Sequence, residues 1–458
     1  MANHTNLVNF QQWARANPAD YMLYDLGIKV WSKQRQACEL VANNPRVAIA
    51  SSNAAGKSFL CACLIPWYLR SRCGGYVLTT GASWRSVEKI LWPQLRRLVG
   101  RARNEELKSL GKIINTEWKI SDMWGAFAVS PDKPENMGGY RTEHGCMVIA
   151  DEASILNYDM MEAITGLCSA EDSRIVLVGN PLRPSGPFYD AFKSSEWATM
   201  RISAFETPNY QHNRNVIPGL ATPEWVESRR RDWGVGSPAW EARVCGRFPT
   251  DGDRTVITLL DCEMAVERMI ANPTPPSGPD APRITIGVDV ARFGDDSSVI
   301  QAIQGDYAYD PVVVHGLDTM QLVGEVVSAI YRLKPSRVSV DVIGIGAGVV
   351  DRLNELGYSS VVDGINVAEK AYDEQRYGNL RAEAWHDMRD WLKTARIPNN
   401  RGLTGALTSP RYQYNSKGQI MLEPKEETKK RLQRSPDEGD ALMLARIGNA
   451  GHSRVDVW

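Results

Sequence analysis

The stretch from Arg46 to Leu60 constrains the fold more than any other part of the chain. An apolar run (Val47-Ala48-Ile49-Ala50) leads into Ser51-Ser52-Asn53-Ala54-Ala55-Gly56-Lys57-Ser58, and Phe59-Leu60 resumes the apolar pattern. This reads as a strand, a tight loop and a helix start in succession. At such a junction successive backbone N–H groups converge on an anion, and the helix N-terminus adds its dipole. Gly56 permits close backbone approach, Lys57 reaches the β and γ phosphates, and the Ser58 hydroxyl holds Mg2+. Ser51, Asn53, Ala54 and Ala55 supply the rest of the cradle. The first glycine of the usual phosphate-loop pattern is Ser51 here.

Two later apolar runs fit the same sheet. Cys146-Met147-Val148-Ile149-Ala150 ends in Asp151-Glu152. Asp151 at that strand end is placed to join the Mg2+ shell, and Glu152 to polarise an attacking water. Ile175-Val176-Leu177-Val178-Gly179 ends in Asn180, a candidate sensor of the γ phosphate; the plain alternative is a turn residue before Pro181. Gln34 precedes the loop and is a candidate reader of the adenine edge; the alternative is a surface glutamine. Transition-state charge in phosphoryl transfer is commonly met by an arginine. Arg141 is the first candidate and Arg85 the second.

At 458 residues the chain exceeds one ordinary core, so two domains are expected. No apolar run approaches the roughly 18 residues that span a bilayer. The opening Met1-Ala2-Asn3-His4-Thr5 lacks a basic segment followed by an apolar one, so no secretion signal is expected. The 8 cysteines show no paired metal-ligand spacing and are expected to be reduced thiols. A net charge of −1 gives no global attraction to nucleic acid, so any such contact must come from local patches. Strand-like and helical runs alternate through the first half, which argues for a mostly parallel sheet wrapped by helices. The Pro-rich stretch from Ala271 to Pro279 is the clearest break. The expected division is 1–250, with an N-terminal helical segment and a helical subdomain near 220–250, then a linker over 251–282 and a second domain over 283–458.

That second domain carries a different set of acids. Asp289 and Asp341 end apolar strands, while Asp437 and Asp440 share one face of a terminal helix. Asp295 follows the first strand as a further ligand. Carboxylates gathered from two strands and a late helix suit a pair of Mg2+ or Mn2+ ions acting on a phosphodiester. Lys425, Lys429, Lys430, Arg431 and Arg434 lie nearby as candidates to steer phosphates.

With these motifs in this order, the chain resembles the large terminase subunit of tailed double-stranded DNA bacteriophages. The resemblance spans nearly the whole chain and rests on Ser51–Ser58, Asp151-Glu152, Gly287-Val288-Asp289-Val290-Ala291 with Asp295, Asp341, and Ser435–Leu442. It implies an α/β protein: an ASCE-type P-loop ATPase joined to an RNase H-like nuclease domain. It implies ATP with Mg2+ in the first domain and two Mg2+ or Mn2+ ions in the second. It also implies double-stranded DNA, a portal and procapsid, a small terminase subunit and a homopentameric ring as partners, in the host cytoplasm. A DNA repair or recombination helicase-nuclease is the rival; helicase motifs after Asn180 are not found. A structural portal or capsid component with a relic nucleotide fold is the non-enzymatic rival.

Overall fold

A computed structural model describes residues 2–81, 83–130, 140, 144–249, 254–291, 297–415, 417–432 and 435–449. The chain is α/β and divides into two units. The first comprises Met1–Ser228 and Glu241–Thr250, the second Arg229–Trp240 and Asp251–Trp458.

The first unit is built on an eight-stranded sheet. Its strands are β1 (Arg46–Ser51), β2 (Tyr76–Thr80), β3 (Lys112–Ile114), β4 (Glu117–Ser121), β5 (Trp124–Ala128), β6 (Cys146–Asp151), β7 (Arg174–Gly179) and β8 (Ala198–Ile202). Their order is β3-β4-β5-β2-β6-β7-β1-β8. From β5 to β8 all pairings are parallel, and only the β3-β4-β5 meander is antiparallel. β6 is buried at every position and β7 at all but its first, so both read as continuous apolar runs. The phosphate-loop strand β1 lies between β7 and β8, and β7 separates it from β6. That spacing brings the ends of β1, β7 and β6 into one row. The helix Lys57–Ser71 follows β1; its Leu60–Leu69 stretch is buried almost without interruption, so it is a core helix.

The second unit carries β9 (Ile284–Asp289), β10 (Ser297–Gln304), β11 (Tyr307–Ala308), β12 (Val312–His315), β13 (Arg337–Asp341) and β14 (Val362–Ile365). β10 pairs antiparallel with β9, β11 and β12, while β9, β13 and β14 run parallel. β11 and β12 share one edge of β10, so an antiparallel β11/β12-β10-β9 set is followed by the parallel β13 and β14, the RNase H-like arrangement. A further hairpin pairs β15 (Tyr412–Tyr414) with β16 (Ile420–Leu422), as the turn residues between them predict.

The final helix, Asp437–Asn449, packs on β9, β10 and β13. At Gly287 the approach is so close that an added Cβ would lie 2.0 Å from the Ala441 carbonyl oxygen and 2.3 Å from the Ala445 nitrogen. The Thr285 hydroxyl donates to the Ala445 carbonyl at 2.9 Å beside that seam.

Two boundaries differ from the sequence expectation. The stretch 251–282 is not simply a linker: Val256, Ile257, Cys262, Ala265 and Val266 enter the second unit's core, most of them from the helix Leu259–Ala271. Its apolar spacing is that of an amphipathic helix, and the Pro-rich segment after it carries no helix or strand. Residues 229–240, expected in the first domain's helical subdomain, group with the second unit.

Because backbone rather than side chain fills the seam at residue 287, Gly287→Ala is expected to destabilise the second unit by about 2 kcal/mol or more. Urea unfolding monitored by tryptophan fluorescence measures it.

Candidate functional sites

The first site forms where β1, β6 and β7 end. Gly56 (φ +83°) and Ala54 (φ +51°) both take left-handed backbone, which winds the loop tightly before the helix starts at Lys57. The Ser58 hydroxyl donates to the Asp151 carboxylate at 2.6 Å, across the intervening strand. Lys57 donates to the Ser52 carbonyl at 3.0 Å and to the Asn180 side-chain oxygen at 3.4 Å. Asn180 in turn donates to the Ser51 carbonyl at 2.6 Å, so it ties the end of β7 to the start of the loop. Burial, with the neighbouring Glu152 charge, pushes Asp151 up to about 6. A buried carboxylate beside a serine hydroxyl, one shell from an ammonium, is an oxygen donor set that suits Mg2+.

Glu152 sits in left-handed backbone (φ +60°), unusual for a non-glycine residue, directly after β6. Gly179 makes room for that turn: a Cβ there would come within 2.8 Å of the Ala153 nitrogen. Glu152 lines an open cleft of about 470 Å3 together with Ala54, Gly56, Lys57, Ser58 and Gln34. That volume lies within the usual range of ligand pockets, roughly 300–1,000 Å3. Trp31, Phe59 and the 217–220 turn line it too, and sequence reasoning did not single them out. The turn is tethered by the Ala221 N–H, which donates to the Ala54 carbonyl at 2.8 Å.

Ser51, Asn53 and Ala55 are structural members of the loop. The Ser51 hydroxyl donates to the Ser52 carbonyl at 3.2 Å, the Asn53 N–H donates to the Arg243 carbonyl at 2.8 Å, and Ala55 is buried. Gln34 is not the surface residue of the plain alternative. Its amide donates to the Gly56 carbonyl at 3.3 Å, and its oxygen accepts the Trp31 N–H at 3.4 Å. It therefore clamps the loop as well as facing the cleft. Arg85 is exposed and is not among the cleft-lining residues. Arg141 lies outside the described residues.

The second site forms where β9 and β13 end against the final helix. Lys425 gathers three of the four candidate aspartates among the described residues: its ammonium lies 2.8 Å from Asp289, 2.9 Å from Asp437 and 3.5 Å from Asp440. Its expected role in steering phosphates gives way to one inside the cluster. Burial opposes its charge, but the three carboxylates hold its proton well above the usual lysine range. Asp440 is further bound by Arg381 at 3.2 Å and accepts from the Trp385 indole N–H at 3.0 Å. Despite burial, those partners hold it below the usual carboxylate range. Asp437 accepts from the Ser435 hydroxyl. The fourth, Asp341, accepts the Ile343 N–H at 2.9 Å, and burial raises it. Asp289 is pushed up to about 8, first by burial and then by Asp440 and Asp437, against the pull of Lys425.

Among the described residues no three His, Cys, Asp or Glu side chains stand in a ready metal-holding group. The acids meet an ammonium instead of forming a finished cage. The donor set still fits a hard divalent cation: it is all carboxylate oxygen, and a cation beside Asp289 would favour the ionised form of a carboxyl that burial otherwise keeps protonated. Asp440, committed to Arg381 and Trp385, is the least free of the four. Arg381 and Trp385 belong to the helix Leu380–Leu392, which sequence reasoning missed. Asp295, with Arg434 and the Arg431 side chain, lies outside the described residues.

No family model matches the chain. It is 25% identical over 355 residues to a protein of Enterobacteria phage P7 described as "Probable terminase, large subunit". The match takes in 70% of this chain and spans 66% of that relative's own length, just under two thirds. Among solved structures, the large terminase of bacteriophage HK97 aligns over 95% of this chain and 99% of its own, at 12% identity and a TM-score of 0.38. The nuclease domain of the large terminase subunit gp2 of bacterial virus Sf6 aligns over 42% and 97%, at 17% identity and a TM-score of 0.38. Such TM-scores add nothing to the strand order, which stands by itself. By sequence the chain is similar to a protein described as a probable phage terminase large subunit.

The raised Asp289 carboxyl sets a pH dependence. The folded chain keeps a proton there that the unfolded chain loses above about pH 4, so metal-free stability should fall between about pH 4 and pH 8. Added Mg2+ should offset most of that fall, because a bound cation favours the ionised form. Differential scanning calorimetry across this range, with and without Mg2+, measures both effects.

Proposed function

We propose that this chain is the ATP-driven motor and endonuclease of a phage DNA-packaging machine. The observation that carries the reading is the Ser58–Asp151 contact, with Lys57 and Asn180 beside it, at the mouth of a ligand-sized cleft. The aspartate cluster of a separate unit supplies the second activity.

In the first unit Lys57 binds the triphosphate, and Ser58 with Asp151 holds the accompanying Mg2+. Glu152 orients and deprotonates the attacking water. Asn180 contacts both Lys57 and the loop, so it is the side chain through which loss of the γ phosphate would reach β1. An arginine meets the transition-state charge; Arg141, supplied by a neighbouring copy, is the proposed source. In the second unit Asp289, Asp341 and Asp437 hold the metals, and Asp295 is an additional candidate ligand. When bound, two Mg2+ or Mn2+ ions supply an activated water and stabilise the leaving oxygen. Lys425 keeps the carboxylates from repelling each other, and Arg381 and Trp385 fix Asp440 in place. The proposed partners are double-stranded DNA, a portal and procapsid, a small terminase subunit and further copies of this chain, most simply five in a ring. The proposed setting is the host cytoplasm.

Two activities that separate by mutation test this. Glu152→Gln and Lys57→Ala should lower ATP hydrolysis by roughly 100-fold or more while leaving Mn2+-dependent plasmid cleavage intact. Asp289→Ala should do the converse. Loss of both activities in either variant, or unwinding of forked DNA by the wild type, would count against the reading.

A further inference from the structure

We propose that an uncovered strip of the second sheet, formed by Ser297, Val313 and His315, is a phosphodiester-binding subsite for the strand that runs into the aspartate cluster. The inference rests on the nuclease reading above and extends it to the path of the substrate.

Register places the strip. Asp289 on β9 stands opposite Val299 on β10, and Val299 stands opposite Val313 on β12. Directly opposed side chains share a face, so these three lie in one row across the sheet. Two residues further along, towards the end where β9 delivers Asp289, Ser297 stands opposite His315. Residues two apart on a strand share a face, so this pair lies on the Asp289 side as well.

The two halves of that face are covered differently. The final helix packs on β9, β10 and β13, and Val299 is fully buried. On β12 the same face is open: Val313 is 37% exposed and His315 is exposed. The opposite face of β12, with Val312 and Val314, packs against the core. The result is a shelf level with Asp289, starting where the helix stops.

The shelf has a polar end. The Ser297 hydroxyl and the His315 Nδ1 lie 2.8 Å apart. If the hydroxyl donates, Nε2 carries the ring proton and directs an N–H away from the pair. If Nδ1 donates, the serine hydroxyl proton is free instead. Either arrangement leaves a donor for an anionic oxygen, and a protonated ring adds charge. Val313 beside it offers apolar contact for a sugar. His315 stands two strand spacings and two residues from Asp289, or about 12 Å, and Ser297 one strand spacing nearer. A nucleic-acid strand covers that in roughly three nucleotides. Gly316, in left-handed backbone with nothing within 4 Å of a Cβ there, ends β12 without crowding the pair.

The test uses the full chain with His315→Ala, His315→Glu and Ser297→Ala, all at a partly or fully exposed surface. Binding of a short fluorescein-labelled duplex is followed by anisotropy without metal over a salt series. Plasmid cleavage with Mn2+ is followed in parallel. His315→Ala should weaken duplex binding roughly 3- to 10-fold, and His315→Glu more strongly. KM for DNA should rise by more than kcat falls. Duplex affinity and KM at wild-type values in both His315 variants would overturn the subsite. Wild-type protein that binds duplex but never cuts it, with His315→Glu still binding more weakly, would sink the nuclease reading and leave the subsite standing. Failure of the wild type to bind duplex would sink both.

Discussion

Negative charge buried at the ends of parallel strands is the constraint around which both units are built. A carboxylate removed from water is costly unless a partner compensates it. Asp151 is met by the Ser58 hydroxyl, with Lys57 close behind. The second cluster is met by Lys425 and Arg381, two cations for four aspartates. Burial, with Asp440 and Asp437 close by and only Lys425 to offset them, is why Asp289 holds its proton so far up the pH scale. A site of this kind is stable enough to fold and still favours an incoming cation.

The first unit handles a different difficulty, a loop that must be both tight and responsive. Besides the Asn180 tie from β7, four segments hold it. Gln34 clamps Gly56, Ala221 holds Ala54, Ile202 accepts from the Ser52 N–H at 2.8 Å, and Arg243 accepts from Asn53. Each link is a single hydrogen bond, worth about 1 kcal/mol net. No one of them locks the loop. A change in what occupies the cleft therefore has several separate routes outward, through elements scattered along the sequence.

Many of the elements that could be read in advance are buried on both faces, although the half-exposed hairpin of β15 and β16 was readable from its turn residues. β1, β6, β7, β9 and β13 are apolar runs bounded by polar residues, and their ends carry most of the proposed chemistry. What escaped was either too short or too mixed. β3 and β4 alternate between exposed and covered positions, and their few residues sit at a sheet edge. The helix Leu380–Leu392 mixes acids, bases and tryptophans, and its function depends on contacts to Asp440 nearly sixty positions away. Nothing local marks Arg381 or Trp385 as partners of that acid. Lys425 was visible as a basic residue, but its place among the aspartates depends on how distant strands and the final helix meet.

The seam at Gly287 has a consequence for how such a chain can drift over generations. At position 287 the helix bearing Asp437 and Asp440 meets β9 backbone to backbone, close to the strand end that bears Asp289. Spacing among the acids thus depends on that backbone contact as well as on the side chains of Lys425, Arg381 and Trp385. Because residues 437–445 of the helix are themselves buried, the helix has as little room to change as position 287. A lineage that filled it would have to move helix and strand apart, and the cutting chemistry would be lost before the fold was.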